Sequence, residues 1–291
     1  MPDDLFINTI RGTYVPKPTG RKMLIFGKNG SLGERLKNRL EEDGHDVAIV
    51  ASPTLSTITP ELFEKVEVIF LLAYDLEPVD IPIGDSEFVH SLREHALSAG
   101  VERAVFLRTL SELEMVQPAD MDVLTRAEIK ISDSALPTTI VRSSILLDLD
   151  LLLVRALNKY ASIGKFPDLP NNLTLHECRP ILMSEAIDFL ARTPEHEYAR
   201  TYHFDLGGDL TISYKDFLDL FLEKEKLKDR ALGVPRSKSP GWTMQLLDDE
   251  KLAWSVFLEK TQIDLVPESE HIKELFKKTK ITPLREAIKL V

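Results

Sequence analysis

Cysteine is nearly absent from this sequence, as are long apolar runs. The 291 residues include one cysteine, so no disulfide can form within the chain, which fits a reducing compartment. A single cysteine also cannot supply the Cys/His sets of structural zinc sites. The longest mostly apolar runs, such as 66–74, fall well short of the ~20 residues that cross a bilayer. The first residues lack the basic and apolar stretches of a signal peptide, so we predict a cytoplasmic protein.

Basic residues are outnumbered by acidic ones. Lys and Arg total 36 and Asp and Glu total 47, which gives a formal net charge of -11. Sequence-blind binding to nucleic acid or to an anionic membrane needs a basic face. The charge therefore predicts neither nucleic acid nor membrane as a partner and favours a small-molecule ligand.

Apolar runs alternate with amphipathic segments through the first half of the chain. We predict strands over 22–26, 46–51, 66–73, 101–107 and 138–141, and helices over 31–42, 61–65, 86–99 and 124–135. The strands are largely apolar on both faces. This pattern predicts an α/β fold with a doubly wound parallel sheet of the Rossmann type, covered by helices on both sides.

The alternation of predicted strands and helices ends after position 145. Residues 1–20 carry no sustained period and are interpreted as an N-terminal arm, followed by a dinucleotide-binding core over 21–145. Residues 146–291 are interpreted as a smaller, mostly helical portion on the substrate side, with a first helix over 145–163. The segment 180–192 is expected to pack back on the core.

A glycine-rich loop connects the first predicted strand to the first predicted helix. Its glycines, Gly27, Gly30 and Gly33, follow the spacing GxxGxxG. The first allows a tight turn, the second lets a pyrophosphate approach the backbone, and the third lets the helix pack closely on the sheet. A helix N-terminus adds amide donors and a favourable dipole. The alternative is a plain turn without a ligand. The predicted pyrophosphate loop comprises Gly27, Lys28, Asn29, Gly30, Ser31, Leu32 and Gly33.

The end of the second strand helps to choose the nucleotide. An acidic residue there would hold the ribose hydroxyls of NAD, but the sequence has Ala51, Ser52, Pro53 and Thr54. The missing acid favours NADP, with NAD as the alternative. Lys28 is a candidate partner for a 2′-phosphate, or else a solvated surface lysine.

Five segments of the chain, spread over about 22–225, together resemble a known family. They are 23–50, 100–107 (GVERAVFL), 136–142 (LPTTIVR), 179–187 (RPILMSEAI) and 202–217 (YHFDLGG through SYKDF). In order and spacing they are similar to the atypical and extended short-chain dehydrogenase/reductases, the NmrA-like and epimerase-like group that binds NAD(P).

The resemblance implies positions for the cofactor. Ser52 would lie near the adenosine ribose, and Ala73 and Tyr74 would line the cofactor channel. Thr109 would follow the next strand, next to Arg108. Arg142 and Ser143, within the segment 142–145, would lie near the nicotinamide.

The catalytic pair of that family is missing. The family uses a tyrosine that exchanges a proton and a lysine four residues later, but none of the six tyrosines here has lysine at that spacing. By alignment Asp122 replaces the tyrosine and Arg126 replaces the lysine; Arg126 could hold a ribose or phosphate but relays protons poorly because it stays charged. Weak catalytic candidates are Tyr74, Thr109, Asp122 and Arg126.

Two functions remain open at the level of sequence. The first is an NAD(P)-dependent oxidoreductase or epimerase-like enzyme acting on a small organic substrate. The second is a non-catalytic NAD(P)-binding sensor or scaffold. A homodimer is compatible with either.

Overall fold

The computed structural model describes residues 20–27, 31–74, 76, 81–110, 123–133, 135–162, 164, 166–196, 203–224, 246–267 and 281–291. Lys28, Asn29, Gly30, Asp122 and nearly all of the predicted N-terminal arm lie outside these residues. For Ser31 the structure describes the backbone only. Statements below about absent features concern the described residues.

Six parallel strands form the central sheet, in the order β2-β1-β3-β4-β5-β9. The remaining four strands form two small two-stranded sheets, β6 with β8 and β7 with β10. The strands are β1 (Lys22–Phe26), β2 (Asp46–Val50), β3 (Val66–Ala73), β4 (Arg103–Thr109), β5 (Thr138–Ser143), β6 (Leu146–Leu147), β7 (Glu177–Cys178), β8 (Ile181–Leu182), β9 (His203–Leu206) and β10 (Ile212–Ser213). This sheet confirms the predicted α/β fold.

Helices cover both faces of the sheet and build the C-terminal portion. They are α1 (Ser31–Glu42), α2 (Ser86–Ser98), α3 (Val123–Ser132), α4 (Leu152–Ser162), α5 (Met183–Arg192), α6 (Tyr214–Lys224), α7 (Asp248–Lys260) and α8 (Leu284–Leu290), with short 3-10 helices at Pro60–Phe63 and Thr193–Glu195. On one face, Leu32, Leu36 and Leu40 of α1 pack against the sheet, as their four-residue spacing predicts. On the other face, α2 and α3 cover the sheet.

Several predicted boundaries differ from the structure. The fourth strand begins at Arg103 rather than 101, because the backbone N–H of Val101 donates to Ala96 O and closes the end of α2. That strand runs on to Thr109, so Arg108 and Thr109 lie within it. Likewise β5 continues through Ser143. The helix predicted from 145 begins at Leu152, because β6 pairs with β8 first.

The C-terminal portion is held together by aromatic side chains. Tyr160 of α4 and Trp254 of α7 have ring centroids 5.0 Å apart, and Phe166 stacks on Trp254 at 5.9 Å. This cluster belongs to the same hydrophobic core as α1 and α5. The segment expected to pack on the dinucleotide-binding core contains α5, whose Asp188 accepts a 2.8 Å hydrogen bond from Arg39 of α1.

Candidate functional site

The candidate site lies at the carboxyl edge of the sheet, where the strand order reverses. β1 pairs with β2 on one side and with β3 on the other. The chain therefore moves to one side of β1 when it enters β2 and crosses to the other side when it enters β3. Ligands of open α/β sheets bind at such a switch point. Gly27 follows β1 at this position, and a Cβ on it would lie 3.1 Å from the Leu72 Cβ of β3. The close approach of two strands thus favours glycine at the first position of the predicted loop.

Helix α1 begins four residues after Gly27, with its N-terminus directed to this edge. Leu32 and Gly33 are both buried, as expected for the part of the loop that packs on the sheet. Arg35 holds the helix in place through Asp148 at 2.9 Å and Asp150 at 2.6 Å. These ion pairs connect α1 to the segment that leads into α4.

The β2 end of the edge is open to solvent. Ser52 is exposed and has a left-handed backbone, with φ of 43°. It is followed by a turn rich in hydroxyl groups, in which Thr54 Oγ1 lies 2.9 Å from Ser56 Oγ. Non-glycine residues rarely adopt this backbone, and such residues are often found at binding sites. Ser52 therefore stays a prediction for the adenosine ribose, at a place that a ligand can reach.

The β4 and β5 end of the edge is closed. Ala73, Thr109 and Ser143 are each 0% exposed. Thr109 pairs in register with Ser143, so the two hydroxyl side chains are neighbours on adjacent strands. The Ser143 Oγ is buried and has no hydrogen-bond partner. The resemblance implied Ala73 at the cofactor channel and Ser143 near the nicotinamide, and both stay predictions for side chains that are buried here.

Tyr74 crosses this closed end. Its side chain is 3% exposed, and its hydroxyl accepts a 2.8 Å hydrogen bond from Leu146 N and donates to Ser144 O at 3.3 Å. A phenol held by two backbone groups is fixed in place. It is poorly arranged to exchange a proton with a substrate.

An ionic cluster holds α3 on the opposite face of β4 and β5. Glu128 accepts hydrogen bonds from Arg108 at 2.9 Å and from Arg142 at 2.6 Å. Arg142 Nη2 also lies 2.9 Å from His203 Nδ1. Arg108 and Arg142 are paired in register on adjacent strands, which places both guanidinium groups over the same helix. The Arg142 side chain therefore points toward α3.

This cluster also affects the titration of a nearby histidine. Burial, and secondly the positive charge of Arg142, lower the pKa of His203. Arg126, in contrast, lies on the exposed side of α3. The sequence did not single out Glu128, although an acid flanked by the buried-face residues Leu124, Ala127 and Ile131 is the available signal for it.

Two segments of the family resemblance meet in the C-terminal portion. Gly208 N donates to Arg179 O at 3.0 Å, and Arg179 Nε donates to Gly208 O at 2.6 Å. A Cβ on Gly208 would collide with Pro180 O. The sequence motifs around 179 and 207 therefore form one structural unit.

Neither a metal site nor a membrane span is found in the described part of the chain. No group of three or more His, Cys, Asp or Glu side chains there could hold a metal ion. No helix there is long and apolar enough to cross a membrane. Cys178 is fully buried, and burial raises the pKa of its thiol well above the ordinary value, so it is no ready nucleophile.

Comparison with solved structures identifies the class of fold. The same fold is found in solved structures of an epimerase, a dehydratase and a reductase, which confirms the Rossmann-type fold that the sequence predicted. The NmrA-like subtype stays a prediction. No family model and no curated protein matches the chain.

Three solved structures illustrate the likeness. The triphenylmethane reductase of Citrobacter sp., complexed with NADP(H), has a TM-score of 0.66 and 15% identity over 92% of this chain and 99% of its own. An NAD-dependent NDP-hexosamine 5,6-dehydratase of tunicamycin biosynthesis has a TM-score of 0.65 and 13% identity over 93% and 96%. The UDP-glucose 4-epimerase of Thermotoga maritima, with UDP-glucose, has a TM-score of 0.59 and 15% identity over 92% and 96%. Identities this low establish the fold alone.

Proposed function

We propose that this protein binds NAD(P) at the carboxyl edge of its sheet, with the pyrophosphate at the N-terminus of α1. The observation that carries the proposal is Gly27, which lies at the topological switch point and where a Cβ would lie only 3.1 Å from the Leu72 Cβ of β3. Backbone amides at a helix N-terminus together with the helix dipole favour a diphosphate there.

The residues at the β2 end favour NADP. No acid follows β2 to take the ribose hydroxyls, and Ser52 and the hydroxyl groups after it are exposed. Lys28 of the loop would supply positive charge for a 2′-phosphate. NADP is the expected ligand, with NAD as the alternative.

For the reaction, the first candidate is an oxidoreductase or epimerase-type conversion of a small organic substrate. When bound, a nicotinamide cofactor supplies or accepts a hydride. The contact between Arg179 and Gly208 supports this candidate, because it builds the substrate-side frame that the family resemblance implied. The neighbours named above also extend over almost the whole chain, including this portion.

The second candidate is a non-catalytic sensor or scaffold that holds NAD(P). It is favoured by the absence of any tyrosine followed four residues later by lysine. Tyr74 and Thr109, the described candidates for proton transfer other than Arg126, are buried. Arg126 remains charged at every working pH and cannot serve as a base.

The binding site is tested by Gly30→Asp. A carboxylate in the loop would repel the diphosphate, while an acid near a helix N-terminus is compatible with folding. We expect NADPH to raise the Tm of the wild type and to leave that of the variant unchanged. Asn38→Asp, on the exposed side of α1, adds the same charge to the same helix and is expected to keep the full shift. Equal shifts in both variants would refute the site.

The two candidates are separated by oxidation of NADPH across a panel of aldehydes, ketones and sugar nucleotides. Turnover with any member supports the enzyme. Tight binding without turnover on the whole panel supports the sensor or scaffold.

A further inference from the structure

The side chain of Tyr74 extends across the carboxyl end of β4. Tyr74 follows the last residue of β3, and its hydroxyl contacts the backbone of Ser144 and Leu146, just beyond β5. In the sheet, β4 lies between β3 and β5. A side chain that connects these positions must span the intervening strand.

Tyr74 lies level along the sheet with Ser143, which the resemblance implied near the nicotinamide. The last registered pair between β3 and β4 is Ala73 with Arg108, so Tyr74 stands level with Thr109. Thr109 in turn pairs with Ser143. One row across the edge therefore contains Tyr74, Thr109 and Ser143.

That row is sealed from solvent. Thr109, Ser143 and Ser144 are each 0% exposed, and Leu110 is 6% exposed. The exposed Ser52 shows that the same edge is open at β2.

We propose that the Tyr74 side chain blocks the nicotinamide end of the site. The protein then binds its ligand through the adenosine diphosphate half alone. The recognised class is an adenine nucleotide with a diphosphate, and the group beyond the second phosphate stays in solvent. This inference rests on the proposed nucleotide binding. It selects the non-catalytic candidate, because a nicotinamide that cannot reach β5 cannot exchange hydride with a substrate held there.

The closing experiment compares ligands that differ only in the nicotinamide. NADPH is matched with 2′-phospho-ADP-ribose, and NADH with ADP-ribose, because reduced nicotinamide is uncharged. Calorimetry of the wild-type protein should give Kd values within about threefold for each pair, since a ring without contacts adds no binding free energy. A preference of about tenfold or more for the dinucleotide would contradict the proposal that Tyr74 blocks the nicotinamide end. If none of the four nucleotides binds, the proposed NAD(P) binding is wrong as well. The experiment therefore distinguishes failure of the proposed function from failure of the Tyr74 proposal.

Variants of Tyr74 test the residue itself. Tyr74→Ala removes the blocking side chain. We expect this variant to bind NADPH about tenfold more tightly than 2′-phospho-ADP-ribose. Tyr74→Phe keeps the ring and should retain equal affinities. Tyr160→Ala, which truncates a buried tyrosine of the C-terminal cluster, controls for general loosening and should also show equal affinities. An unchanged ratio in a folded Tyr74→Ala protein would assign the closure to other residues. If Tyr74→Ala does not fold, the ligand comparison on the wild type and on Tyr74→Phe still tests whether the nicotinamide contacts the protein.

Discussion

The two ends of the sheet edge share one topology and differ in what covers them. After β2 the chain continues with small residues, and Ser52 is exposed. After β3 it continues with Tyr74, whose hydroxyl reaches the backbone beyond β5, and at this end Thr109 and Ser143 are 0% exposed. A parallel sheet places all these strand ends at one edge, but the side chain that follows each strand decides which part a ligand can enter. The neighbours' fold therefore does not by itself transfer their chemistry.

The largest effect is expected from removing the charge of Glu128 at the closed end. Glu128→Gln leaves Arg108 and Arg142 close together without their shared carboxylate, and Arg108 is 1% exposed. Breaking a buried ion pair in this way costs about 3–5 kcal/mol of unfolding free energy. Urea denaturation measures the loss.

The same exchange at an exposed site provides the control. Glu94→Gln on α2 should change the unfolding free energy by no more than about 0.5 kcal/mol. A loss for Glu128→Gln as small as that of the control would mean that the cluster does not hold the closed end together.

An intermediate effect is expected at the open end. Ser52→Asp places a carboxylate where the second strand ends. This carboxylate should accept hydrogen bonds from the ribose hydroxyls and repel a 2′-phosphate. We expect the Kd for NADPH to rise about tenfold or more, while the Kd for NADH stays equal or falls. Fluorescence titration of the reduced nucleotides measures both.

Ser52→Asn separates charge from shape. Both Asn and Asp tolerate the left-handed backbone found at Ser52, so only the charge differs between the variants. If Ser52→Asn shifts the NADPH Kd as much as Ser52→Asp does, the adenosine end does not lie at β2.

The smallest effect concerns the pH dependence of stability. Burial and Arg142 lower the pKa of His203 in the folded protein below its ordinary value of about 6.5. The unfolded chain therefore takes up the proton first as the pH falls through about 6.5, and stability declines on the acid side. His203→Gln should show a smaller fall in Tm between about pH 7.5 and about pH 5.5 than the wild type.

A histidine elsewhere serves as the reference for that scan. His90→Gln, on the exposed side of α2, should follow the wild-type pH profile. If His203→Gln and His90→Gln give the same profile, the contact between Arg142 and His203 does not influence stability.

Most of the fold was predictable because local patterns agree with it. Leu32, Leu36 and Leu40 have the spacing of one helix face, and the strand 66–73 is apolar on both sides, as strands inside a parallel sheet are. The strand ends were less predictable. Arg108 and Arg142 look like residues beyond a strand, but both donate to Glu128 of α3, and this contact from a distant helix helps to hold two charges within the sheet.

The site was predictable in part for a similar reason. Gly27 and Ser52 follow strands whose position the sequence fixes locally, so their place at the edge could be expected. The role of Tyr74 depends on a contact with residues 70 or more positions away, and no local pattern encodes it. The family resemblance implied that Tyr74 lines the cofactor channel, and this stays a prediction; the contacts of its hydroxyl group could not have been foreseen from the sequence.

The most direct measurement is saturation-transfer NMR of NADPH bound to the wild-type protein. It reports which ligand protons contact the protein. We predict strong transfer to the adenine and adenosine ribose protons and little to the protons of the nicotinamide ring. Equal transfer to both rings, or stronger transfer to the nicotinamide, would contradict the account.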